Sequence, residues 1–144
     1  MPEIILPSLD YIAGIIETSG SFYFSKNNNY TIPVFQVKLI GKQKALLEQI
    51  ASKLGLNETV HEYLHSGRHY TVLTVRKRST IERAIIPTFD NRLIGWKKTQ
   101  FNTWRDQFYR QNLSKLVNVS RQTIAVSPLE IVPPQLDPAR GEKN

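Results

Sequence analysis

Apolar positions recur along this chain in two rhythms. Leu9, Ile12, Ile15 and Ile16 follow Ser8 at helical spacing, and the serine suits an N-cap, so a helix is predicted over about 8–18. After Gly20, read as ending that helix in a left-handed turn, Ser21-Phe22-Tyr23-Phe24-Ser25 alternates with the period of a strand at about 20–26. Asn27-Asn28-Asn29 marks a turn, and Thr31 to Ile40 is a second strand in which Pro33 argues for an edge or a bulge. Gly41 opens a loop into a helix of about 42–54 that Gly55 ends. Two further strands are expected near 58–64 and 69–76, joined at His65-Ser66-Gly67. Ser79 is expected to cap a short helix that Pro87 stops, and a longer helix of about 94–111 would bury Trp96, Phe101, Trp104 and Phe108.

These elements add up to an α+β fold of αββαββα order, an antiparallel four-stranded sheet with helices on one face. The other face of such a sheet can stay open to solvent. Residues 1–111 form the expected domain. Residues 112–144, with Pro128, Pro133, Pro134 and Pro138 and no clear period, form an expected C-terminal extension. By itself a segment of that composition should be mobile, so a partner protein or RNA is expected to hold it.

Charge adds a partner class to this outline. The chain carries 19 Lys and Arg against 12 Asp and Glu, for a net charge of +7 and a pI near 9.8. Between residues 68 and 121 there are twelve basic residues and three acids, interleaved with Tyr70, Trp96, Trp104 and Tyr109. A concentration of that kind fits the phosphate backbone of a nucleic acid. No stretch has the apolar length of a membrane span, so no membrane partner is expected. With no cysteine there is neither a disulfide framework nor a thiolate metal site. Met1 to Pro7 lacks basic residues and carries Glu3, unlike a signal or transit peptide.

The segment Ile12-Ala13-Gly14-Ile15-Ile16-Glu17-Thr18-Ser19-Gly20-Ser21-Phe22 resembles the LAGLIDADG helix and turn of homing endonucleases. Val34-Phe35-Gln36-Val37, Lys44 to Gly55, Ile85 to Asp90 and Leu93 to Trp104 follow in family order, so the resemblance covers roughly residues 8–110. It implies a saddle-shaped sheet face lying in the major groove, where a β-ribbon can reach base edges. A single copy of the motif implies pairing of two such helices across a two-fold axis, with a homodimer as the default and a heteromeric partner or RNA–protein assembly as the competitor. Ile12, Ala13, Gly14 and Glu17 are the expected pairing residues, because small side chains let a second helix approach closely.

The resemblance also marks what is missing. The family's metal-binding acid falls on Ser19, a neutral hydroxyl that cannot seat Mg²⁺ as a carboxylate does. Glu17 is not a substitute, since two helical residues lie about 200° apart. Near a helix C-terminus its charge is also unfavourable, which points to a local partner such as a basic side chain or a backbone amide. Lys97 matches the family's active-site lysine, whereas Leu39 stands where a water-ordering polar residue is expected. No metal site is expected, and the three histidines, His61, His65 and His69, lack an acidic or cysteine pattern around them.

Strand alternation selects the remaining contacts. With Phe22, Phe24, Phe35 and Val37 turned to the core, Tyr23, Ser25, Gln36 and Lys38 face the saddle. His61 and Tyr63 on the third strand, Thr71 and Arg76 on the fourth and Lys98 on the last helix complete the expected nucleic-acid contacts. Two functions are then in view. One is a protein that binds nucleic acid without cutting it, with no cofactor, on structured RNA of an organellar ribonucleoprotein such as a mitochondrial ribosome or an intron particle. The other is a Mg²⁺-dependent, site-specific double-strand DNA endonuclease acting as a dimer. Family members are often organelle-encoded, so a mitochondrion or another organelle is the expected location.

Overall fold

The computed structural model describes residues 6–124. Helix α1, Leu9–Ser19, begins where Ser8 Oγ accepts the amide of Tyr11 at 3.1 Å. Strands β1, Gly20–Asn27, and β2, Tyr30–Ile40, follow, then α2, Lys44–Leu54, β3, His61–His65, and β4, Arg68–Val75. A short helix α3, Arg78–Thr80, runs through a π-turn, Ile81–Ile85, into α4, Ile86–Phe89. The last element is α5, Trp96–Ile124. The four strands form one antiparallel sheet in the order β1-β2-β4-β3.

The core lies on one face of this sheet. Ile12 and Ile16 of α1, Leu47 and Ile50 of α2, Ile81, Ile85 and Phe89 of the middle segment, and Phe101 and Phe108 of α5 all pack there. They meet Phe22, Phe35, Val37, Leu73 and Val75 from the strands, in accord with the alternation of a half-covered sheet. Phe22 is the hub, with its ring 5.0 Å from Phe101, 5.1 Å from Trp104, 5.4 Å from Phe35 and 5.9 Å from Phe89.

Several local expectations change. Gly20 does not turn left-handed; its φ of −93° and ψ of 161° are already those of β1. Glycine is needed there because a Cβ would lie 2.6 Å from Ile16 Cγ2, so strand and helix could not join this closely with any side chain. Gly55 does adopt the left-handed cap, at φ 71°. Pro33 sits in a strand paired on both sides, but pairing of β2 with β4 begins only at Phe35, so its missing amide costs no hydrogen bond to that neighbour. Pro87 does not stop the helix either. The wider π-turn before it makes room for a ring that would collide with the carbonyl four residues back in a regular α-helix.

Trp96 is 74% exposed rather than buried. Phe101, Trp104 and Phe108 share a face by their spacing, while Trp96 lies five residues before Phe101, about 140° away around the axis. The position that extends the buried stripe backwards is Lys97. Residues 112–124 continue α5 instead of starting an irregular extension, since no Gly or Pro interrupts them. Two compact units divide within this helix, one ending at Phe108 and the other starting at Tyr109. The proline-rich remainder of the expected extension lies outside the described residues, and with it the expectation that a partner holds it.

Candidate nucleic-acid interface

The register of the sheet decides which side chains share its open face. Ser21 pairs with Gln36 and Tyr23 with Val34; Gln36 pairs with Thr74 and Lys38 with Val72; His61 pairs with Val72 and Tyr63 with Tyr70. Tyr23, Ser25, Gln36, Lys38, His61 and Tyr63 therefore stand together on the face away from the core, and the exposed Arg76 follows directly after β4, outside the paired register. Gln36 Nε2 donates to Thr74 Oγ1 at 3.1 Å across the strands. The rings of Tyr63 and Tyr70 stack at 5.5 Å, and the Lys38 ammonium lies 4.5 Å from the Tyr70 centroid and 5.8 Å from that of Tyr63. Contact with two aromatic rings orders the long Lys38 side chain over their faces.

Thr71 is not part of this face. It is 0% exposed, on the helix side, where its Oγ1 donates to Gly41 O at 2.7 Å and accepts from the Gln43 amide at 2.9 Å. Its task is to tie the loop between β2 and α2. Tyr70 is the residue missed by sequence reasoning, because β4 is apolar on both parities. The signal was available in the turn. Ser66 at φ 52° and Gly67 at φ 78° make a two-residue hairpin loop, which forces Tyr63 opposite Tyr70 and so onto the same face. Lys98 sits on the first turn of α5, exposed, and not on the sheet.

The α1 surface also differs from expectation. Ile12 is 0% and Ala13 5% exposed, both turned into the protein's own core, so neither is free for a second helix. The outward stripe runs through Tyr11, 55% exposed, Gly14, with open space where a Cβ would be, and Thr18. Glu17 turns away from that stripe. Its carboxylate accepts the backbone amides of Ile94 and, at 3.2 Å, Gly95, immediately ahead of α5. A carboxylate on the free amides of a helix start offsets its poor placement at the end of α1. Glu17→Ala is expected to cost about 1–2 kcal/mol of stability, read as a lower urea midpoint, with Glu17→Gln falling between.

At the junction of α1 and β1, the Lys97 ammonium donates to Gly20 O at 2.6 Å and to Gln100 Oε1 at 3.3 Å. That same Gln100 oxygen accepts the amide of Phe22 at 3.2 Å. Lys97 is thus fixed one residue from Ser19, whose hydroxyl lies 3.4 Å from that of Thr18. Gln100, the bridge between strand and helix, had no sequence signal of its own. Leu39 packs against the core rather than ordering water. Among the described residues no three His, Cys, Asp or Glu side chains come together. With a neutral hydroxyl at Ser19 and the Gly20 carbonyl engaged by Lys97, the donors at this junction do not fit Mg²⁺, which asks for several oxygens including carboxylates.

A four-stranded antiparallel sheet over a helical layer, with a lysine fixed at the helix–strand junction, has the architecture of the homing-endonuclease class. A family model described as LAGLIDADG endonuclease matches residues 12–108, and the chain belongs to that family. Solved structures agree on the fold. The chain superposes on I-GzeII, in complex with its DNA target, with a TM-score of 0.66 at 23% identity, covering 86% of this chain and 41% of that one. For I-SmaMI bound to uncleaveable DNA the TM-score is 0.62 at 26% identity, covering 83% and 42%. For the homing endonuclease I-TnaI it is 0.62 at 18% identity, covering 83% and 90%. The chain therefore spans less than half the length of the first two. Among curated proteins no match is found.

Proposed function

We propose that this chain binds duplex DNA through its open sheet face and does not cut it unaided. The observation that carries the reading is the shared register of Tyr23, Gln36, Lys38, His61 and Tyr63 on the face turned away from the core cluster, with Arg76 directly after β4. Side chains standing on a twisted antiparallel ribbon can reach base edges in a major groove. Cleavage is proposed lost because Ser19 supplies no anion to seat a metal, while Lys97 keeps a positive charge beside it. A second copy is proposed to complete the saddle through the Tyr11–Gly14–Thr18 stripe, since the chain spans 41–42% of the DNA-bound relatives.

A second reading, structured RNA within an organellar ribonucleoprotein, rests on the same loss of the acid at Ser19. Selection from a random duplex pool, followed by anisotropy titration against salt, tests the first. Affinity is expected to fall about a thousandfold between 50 and 200 mM salt, with a shallower slope in Lys38→Ala and Arg76→Ala. Salt-insensitive binding would remove the proposal, and preferential competition by structured RNA would favour the second reading.

A further inference from the structure

A groove of about 250 Å³ runs between the edge strand β1 and the first three turns of α5. Its helix wall carries Trp96, Gln100, Thr103 and Gln107 at spacings that share one face, with Trp104 beside them, and Phe22, Tyr23 and Phe24 of β1 close the other side. No charged side chain lines it. Trp104 is committed, donating its Nε1 to Tyr23 O at 2.9 Å. Trp96 is not, since the residue is 74% exposed and its indole is in no ring pair among the described residues. The hydroxyl of Thr103 and the amide of Gln107 are likewise without hydrogen-bond partners among those residues. Aromatic walls with neutral groups that both donate and accept suit a flat, uncharged heterocycle. They suit neither a phosphate nor a charged peptide.

The groove is continuous with the proposed DNA face. Tyr23 belongs to both, and Gln100 joins the groove to Lys97, whose ammonium keeps a third N–H beyond the two it spends on Gly20 and Gln100. A phosphate held by that N–H would leave its own base beside Trp96, one residue away on the same helix turn. We propose that this groove receives one unpaired nucleobase of the bound nucleic acid, stacked on Trp96 and read by Gln107 and Thr103. The proposal rests on the nucleic-acid reading above and narrows its substrate class. Extruding a paired base is costly and least so for one already unpaired, so the preferred target carries a bulge or other extrahelical nucleotide.

The test uses the full chain and two duplexes of about 30 base pairs, one fully paired and one with a single extrahelical 2-aminopurine. The bulged duplex is expected to bind about tenfold more tightly, the scale of one base–aromatic stack. Its 2-aminopurine emission should fall on binding. Trp96→Ala, at an exposed position, should fold normally, bring the two affinities within about twofold and restore the emission; Gln107→Ala should weaken the bulged duplex alone. Equal, salt-sensitive binding of both duplexes by the native chain would overturn the base site and leave the DNA reading intact. Binding of neither would sink both. Bulge preference that survives Trp96→Ala while that substitution splits a dimer in sedimentation would assign the groove to a second protein copy and also overturn the proposal.

Discussion

Replacing Ser19 with aspartate is expected to create a saturable divalent-metal site in the DNA complex. The new carboxylate would enter beside the Lys97 ammonium, which already bonds to the next residue's carbonyl, so its charge has a local counterpart. It would also lie at the C-terminus of α1, where the helix dipole costs an anion about 0.3–1 kcal/mol, too little to unfold the domain. In a paired assembly two such carboxylates would face the same DNA, and phosphate oxygens would supply further hard ligands. Titration of Mn²⁺ followed by electron paramagnetic resonance should show no saturable site in the native complex and one or more per pair in Ser19→Asp. Ser19→Asn, of the same size but neutral, should remain blank. Metal binding is the first readout and strand cleavage the second, because Leu39 still packs into the core and orders no water. A native complex that takes up Mn²⁺ as well as the variant would refute the role given to Ser19.

The same residues show how far the sequence could be read. Elements with a clear period were legible to within a few residues, because burial of one face is what creates the period. The αββαββ order and the side assignment of β1 and β2 followed from Phe22, Phe35 and Val37 alternating with Tyr23, Gln36 and Lys38. Parity failed in β4, where Val72 is buried on the open side while Thr71 is buried on the helix side, so hydropathy could not tell the faces apart. Turn length could have settled it. Partner-dependent contacts were less legible. The small residues of α1 suggested pairing, but Ala13 is small to fit the chain's own core, and only Gly14 faces outward with space above it. Glu17 was the opposite case, since an acid at the wrong helix end implied a compensating partner, and two backbone amides proved to be that partner.

Lys97 joins the stability of the fold to its site. It continues the Phe101–Trp104–Phe108 stripe, so the packing that buries those rings also aims the lysine at the α1–β1 junction. Gln100 adds a second tie by holding both Lys97 and the Phe22 amide. Disturbing the aromatic core should therefore displace the ammonium before it displaces β3, the edge strand at the far side of the sheet.

Phe22→Ala is the substitution that exposes this dependence. Phe22 is 3% exposed and its ring contacts those of Phe35, Phe89, Phe101 and Trp104, which belong to β2, α4 and α5. Truncation removes transfer energy and edge-to-face contacts and leaves a cavity that four large rings cannot easily fill, for a loss of about 3–5 kcal/mol. Against a total of about 5–15 kcal/mol for a domain, the variant should be partly unfolded at ambient temperature or have a sharply lowered urea midpoint. Phe22→Leu, which keeps most of the volume, should lose about 1–2 kcal/mol and retain DNA binding. The exposed Trp96→Ala should change the unfolding free energy by less than about 0.5 kcal/mol, so the two aromatic truncations separate core from surface. A stability loss for Phe22→Ala within that same small margin would mean that the ring cluster does not hold β1 against α5.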